Sequence, residues 1–134
     1  MTSHLDLVQR SYAAWREHDV AALLRMFTED CVWELGDMAA ATGRERYLGH
    51  DGLRELMAEV REIYADWSPR ILQARARADG AVLVEFAVDA TEPRSGVPLS
   101  IASGGQISEF EGERVRRVIQ TQFPPPGWDE AEPL

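Results

Sequence analysis

Carboxylates crowd the stretch MFTEDCVWEL, residues 26 to 35, where Glu29, Asp30 and Glu34 surround the one cysteine, Cys31, and the tryptophan Trp33. A carboxylate can abstract a proton and a thiolate can attack an electrophile, but each needs surroundings that tune its pKa. Glu29 and Asp30 follow a helical pattern in a polar turn, which favours solvated turn residues over catalytic ones. Strand alternation sets Glu34 opposite Trp33, on an outer face. No histidine or basic cluster adjoins Cys31 in sequence, so it reads as a small core residue. Asp37 is the more interesting acid, because it shares the inward parity of Leu35 and begins the loop GDMAAATGRERYLGH. Two readings stay open for it: a loop aspartate capping local amides, or a general base whose pKa rises if a pocket buries it. His50, in LGHDG, is either a helix-end residue or a proton shuttle at a pocket rim. Tyr12 and Tyr64 carry hydroxyls that could orient a carbonyl group. Gln106, in SGGQ, would be an unusual polar residue inside a sheet core.

These residues need elements to hold them. Leu5, Val8, Tyr12 and Trp15 recur at helical spacing, with Ser3 and Asp6 as a capping arrangement. Asp19 suits the N-cap of a short second helix with Val20, Leu23, Leu24 and Phe27 on one face, so the two form an apolar hairpin. Cys31, Trp33 and Leu35 then point one way along a strand, and Val32 and Glu34 the other. The spacing of Leu53, Leu56, Met57, Val60, Ile63, Tyr64 and Trp67 predicts a long third helix, limited by Pro69. RILQARAR, GAVLVEFAVDAT, PLSIASGGQISEF and RVRRVIQTQF read as a four-strand meander divided by turn residues. Val82, Val84, Phe86 and Val88 share its inward face. Arg75 and Arg77 are expected to meet Glu85 or Asp89 across the sheet. Gly104 and Gly105 could insert a bulge that reverses parity after Ser103. A single domain is expected over residues 1–123, with the Pro-rich acidic segment 124–134 extended or disordered.

The chain has 134 residues, 45% hydrophobic and 28% charged, which fits one domain with a real core. No apolar run nears the roughly 18 residues of a spanning helix, and MTSHLDLVQR lacks a secretory pattern, so a cytoplasmic protein without membrane contact is expected. One cysteine and three histidines exclude an internal disulfide and any convincing zinc spacing. Neither metal nor cofactor is expected. A net charge of −9 disfavours nucleic acid as a partner.

The order helix, helix, strand, long helix and meander resembles the nuclear transport factor 2-like superfamily, in particular its SnoaL-like branch. VQRSYAAWREHDVAALLRMFTEDCVWEL resembles that family's opening helices and first strand, YLGHDGLREL its YRGHEGVRRF-like segments, and EFEGERVRRV its last β-turn. The resemblance implies an α+β cone in which a curved antiparallel or mixed sheet wraps around the long helix and leaves an apolar pocket open at one end. Members often form homodimers through the sheet's outer face. Activities in the superfamily include steroid double-bond isomerisation, aldol cyclisation, epoxide hydrolysis and dehydration, while other members only bind.

Steroid isomerisation requires a carboxylate base and two donors at the enolate oxygen. The resemblance puts Leu35 at the base, Ser11 at the tyrosine donor and Gln106 near the acid donor. Leucine cannot accept a proton, and a one-residue slip to Glu34 would turn Trp33 away. The expected function is therefore binding of a small hydrophobic molecule, with cofactor-free isomerisation, cyclisation, dehydration or hydrolysis as the enzymatic form. Asp37, Tyr12 and His50 are the catalytic candidates. Trp15, Trp33, Leu35, Tyr64, Trp67, Val84, Phe86 and Gln106 are the ligand-contact candidates. The rival is a non-catalytic dimerisation or interaction module using the outer sheet face around Glu85 and Asp89.

Overall fold

The computed structural model describes residues 3–36, 43–63 and 65–134. Helix α1, His4–Glu17, starts where the Ser3 side chain accepts from the Asp6 amide at 3.1 Å. It stops at His18, whose left-handed backbone (φ 55°) returns its amide to the Ala14 and Trp15 carbonyls. Helix α2, Val20–Met26, is capped as its sequence suggests, with Asp19 accepting from Ala22 N at 3.0 Å. The chain then enters strand β1, Phe27–Glu34, directly. Burial alternates along its second half: Cys31, Trp33 and Leu35 are inside, while Glu34 pairs with Arg46 (3.2 Å) and Arg117 (2.9 Å) on the other face.

A three-residue strand, β2 (Arg46–Leu48), precedes helix α3, Gly49–Ile63. The apolar stripe of α3 buries Leu53, Leu56, Met57 and Val60. Each such side chain contributes about 1.5–3 kcal/mol by leaving water. Gly52 lets α3 approach β2, since a Cβ there would stand 2.8 Å from the backbone carbon of Tyr47.

The helix ends earlier than its apolar periodicity predicts. From Ala65 to Ala76 the chain is strand β3, so Trp67 and Pro69 lie on the sheet rather than at a helix end. Pairing with β4 (Val82–Thr91), for example Ser68 with Asp89 and Pro69 with Val88, overrides the helical spacing. Strands β5 (Pro98–Glu111) and β6 (Arg114–Thr121) complete the meander, and β6 also runs parallel to β1. A last strand, β7 (Glu132–Pro133), makes a sheet ordered β2-β1-β6-β5-β4-β3-β7. The architecture is α+β: among the described residues, three helices lie on a large, mixed, curved sheet. Helix α1 packs on β3 and α3 on β1.

Three sequence expectations need correction. Residues 124–134 are neither loose nor merely extended: Trp128 and Ala131 are buried with Ala81, Leu83 and Ile107 on the sheet's outer face. Arg75 holds this segment through a bond to the Trp128 carbonyl (2.8 Å) and by stacking on the Trp128 ring, 4.4 Å from its centroid. Apolar contact supplies what the proline run, poor in donors, could not. That contact engages Arg75, while Arg77 binds Asp79 and Glu109, so Glu85 is met by Gln73 and Asp89 by Arg70. The β4–β5 register shifts between the pairs Val88–Ala102 and Asp89–Ser100, ahead of the glycines. Gly104 and Gly105 remain in register, and Gly104 admits the Thr121 carbonyl, 2.7 Å from where its Cβ would be.

Candidate functional site

Alternation along β4 and β5 brings Val84 opposite Gln106 and Phe86 opposite Gly104. One strand further, Gln106 faces Gln120. Helix α1 lies over this face and presents Tyr12, whose hydroxyl donates to Gln106 Oε1 at 2.8 Å. Both residues are buried. Burial pushes the Tyr12 phenol well above its usual range, so it stays a neutral donor rather than becoming a phenolate.

Between α1, α3 and the sheet lies a cavity of about 60 Å³. Tyr12 and Trp15 wall it from α1, Trp33 and Leu35 from β1 and its end, and Leu56, Val60 and Ile63 from α3. Trp67, Pro69, Phe86, Val88, Gln106 and Gln120 close the sheet side. Trp15 and Trp33 meet edge to face with ring centroids 5.4 Å apart. Ile63 is 40% exposed, which sets the mouth of the cavity at the end of α3. The free volume is small beside the roughly 300–1,000 Å³ of drug-sized sites, so a ligand of more than a few heavy atoms requires wall side chains to move.

The wall is apolar but not inert. The indole N–H groups of Trp15 and Trp33 and the Oε1 of Gln120 are buried without a hydrogen-bond partner. Each unmet buried group costs about 1–3 kcal/mol. None of the described wall residues carries a formal charge. Among the described residues, no three His, Cys, Asp or Glu side chains come together as a metal site.

Of the residues singled out in the sequence, Tyr12, Trp15, Trp33, Leu35, Trp67, Phe86 and Gln106 converge on this cavity. Asp37 and Tyr64 lie outside the described residues. His50 sits elsewhere: its Nε2 is 3.0 Å from the Phe27 carbonyl, tying the start of α3 to β1 and taking the ring out of the cavity wall. Val84 is fully buried in the core with Val8 and Tyr12, not on the cavity wall. Cys31 is a core residue whose thiol burial, with the nearby Asp30 charge, pushes up to about 11. Glu29 and Asp30 are exposed. Sequence reading missed Gln120, although its place two residues after the buried Val118 gives it inward parity.

The family model for the SnoaL-like domain matches residues 8–118. This chain belongs to the SnoaL-like family. No curated protein sequence matches this SnoaL-like chain. Among solved structures it is similar to TerC co-crystallised with polyporic acid, at 19% identity and TM-score 0.75, over 88% of this chain and 89% of that one. A protein of ketosteroid isomerase-like fold from Catenulispora acidiphila DSM 44928, in complex with trimethylamine, matches at 18% identity and TM-score 0.72, over 90% and 86%. A candidate polyketide cyclase from Xanthomonas campestris pv. campestris matches at 21% identity and TM-score 0.68, over 87% of each chain. At these identities the likeness shows the fold. No helix among the described residues of this SnoaL-like protein is long and apolar enough to cross a membrane.

Proposed function

We propose that this protein holds a small hydrophobic molecule in the cavity beneath α1. The observation that carries the proposal is the cavity itself: aromatic and aliphatic walls around the Tyr12–Gln106 bond, with unmet polar atoms beside it. Membership of the SnoaL-like family, together with a structural neighbour described as a candidate polyketide cyclase, supports an isomerase, cyclase, dehydratase or hydrolase activity without a cofactor. Tyr12 or Gln106 would orient the ligand's oxygen. Among the described residues the wall offers no carboxylate or imidazole, so a general base would come from Asp37, two residues beyond Leu35, or from the substrate. Steroid isomerisation is not proposed, because Leu35, buried on the cavity wall, occupies the place at which the resemblance requires the base.

The rival reading, an interaction module using the outer sheet face, has less apolar surface to work with, since Trp128 and Ala131 already cover Leu83 and Ile107. A homodimer remains part of the proposal, with its contact on another part of the sheet.

A thermal-shift screen of small apolar compounds tests the binding reading. A ligand at about 100 times its Kd adds about 2.7 kcal/mol to the folded state, a rise of several degrees in Tm. A library that stabilises nothing would remove the proposal. Once a substrate is found, Asp37→Asn is expected to lower turnover at least about 100-fold with Tm unchanged, in keeping with loss of a general base. Unaltered kinetics would exclude Asp37.

A further inference from the structure

Leu7, Arg10, Ala14 and Glu17 recur at helical spacing and form a different face of α1 from the Tyr12 and Trp15 stripe of the cavity. Opposite this face stand Ala22 and Arg25 of α2 and, from the turn between β5 and β6, Glu113 and Arg114. The parallel pairing of Phe27 with Val115 explains the meeting, because it brings the residues just before each, Arg25 and Arg114 among them, to the same end of the sheet. Together they enclose a groove of about 530 Å³. Three guanidiniums from three elements thus reach one hollow, in a chain whose formal charge is −9. Elsewhere the chain closes its arginines on acids: Arg77 holds Asp79 and Glu109, and Arg117 holds Glu34 and Glu109. In the groove Arg10 has a loose, exposed pair with Asp6 at 3.6 Å. Among the described residues Arg25 and Arg114 have no ion pair and no side-chain hydrogen bond, although Glu17 and Glu113 line the same groove.

Like charges gathered without acids between them attract an anion, and guanidinium forks select its shape. The two oxygens of a carboxylate are taken up by one bidentate guanidinium, whereas a phosphate monoester offers three terminal oxygens to three forks. Nucleic acid would bring its many phosphates against the net negative charge. The volume lies within the roughly 300–1,000 Å³ of small-molecule sites. We propose that this groove binds a small organic phosphate, its phosphate between Arg25, Arg114 and Arg10 and its carbon frame against Leu7 and Ala13. Glu17 stands two helical turns, about 10 Å, from Arg10 and leaves the phosphate end clear. Glu113 adjoins Arg114 and offsets part of the attraction, so the expected affinity is modest and sensitive to salt. This site is separate from the cavity beneath α1 and does not depend on what the cavity holds.

Phenyl phosphate, inorganic phosphate, benzoate and benzyl alcohol, titrated into the 15N-labelled full chain at low salt and followed by backbone amide shifts, test the proposal. Phenyl phosphate is expected to give saturable shifts in α1, α2 and the β5–β6 turn, and to bind several-fold tighter than phosphate or benzoate. Benzyl alcohol is expected to leave those amides still; its entry into the cavity would register at the Gln106 and Phe86 amides instead. The double variant Arg25→Gln, Arg114→Gln is expected to weaken phenyl phosphate about tenfold, about 1.4 kcal/mol. Arg61→Gln with Arg94→Gln removes the same charge from exposed positions outside the groove and is expected to change binding less than about twofold, since screening in salt limits distant charges. Equal losses in the two double variants, shifts scattered over the surface arginines, or no saturable shift would overturn the site. Benzoate binding as tightly as phenyl phosphate would overturn the phosphate class.

Discussion

The Tyr12–Gln106 bond joins a helix to a sheet through two buried polar side chains. It spans 94 positions of sequence, with both groups buried, so neither can turn to water when the other is lost. Tyr12→Phe is therefore expected to strand Gln106 Oε1 and to cost about 1–3 kcal/mol, read as a lower urea midpoint with an unchanged slope. A loss below about 0.3 kcal/mol would mean that water replaces the phenol. Much at this scale was legible in the sequence. Parity along β1 put Trp33 and Leu35 inside, and the oddity of a glutamine in an apolar strand pointed to Gln106. Gln120 escaped notice because its neighbours Thr121 and Gln122 are polar too, so nothing in its own stretch contrasted with it. His50 was misleading for another reason. A histidine at a helix start is ambiguous until its partner is known, and that partner is the carbonyl of Phe27, far away in sequence.

The elements that shape the cavity depend on two close approaches. Alanine normally suits a helix better than glycine by about 1 kcal/mol, yet Gly52→Ala would drive a methyl to 2.8 Å from the Tyr47 backbone. Overpacking costs about 1–3 kcal/mol, so the variant is expected to be net destabilised and to loosen α3 against β2. A more stable Gly52→Ala protein would show that α3 can shift without cost. The second approach is that of the C-terminal segment to the sheet. Trp128→Ala removes a buried ring from Leu83, Phe123 and the Arg75 guanidinium, and a loss of about 3 kcal/mol is expected in denaturant unfolding. Sequence patterns failed here because prolines hid the two apolar residues three apart, Trp128 and Ala131, that dock the segment. They failed at Trp67 because its helical spacing continues the stripe of α3, although the chain there pairs with β4.

For the whole molecule, the charged groups frame a window of pH in which the fold is secure. A bidentate bond from Arg77, helped by the Ala81 amide, holds Asp79 down from its ordinary 3.8 to about 2. Its folded pKa lies below the unfolded one, so its contribution is present above about pH 4 and is lost as pH falls toward 2. Cys31 lies on the opposite side: burial raises it from 9.0 to about 11, so folded stability declines as pH climbs from 9 toward 11. Asp79→Asn is expected to flatten the acid limb and Cys31→Ala the alkaline limb of stability against pH, followed by chemical denaturation. Between those limbs the described wall of the cavity has no group that titrates, so ligand affinity there is expected to be flat unless Asp37 takes part.

The most direct test is a crystal structure of the protein with a compound that raises its Tm. The expected ligand density lies between α1, α3 and the sheet, in contact with Trp33 and Phe86 and within hydrogen-bond reach of a cavity polar atom. Density on the outer sheet face, with the cavity empty or closed by its tryptophans, would contradict a small-molecule site beneath α1.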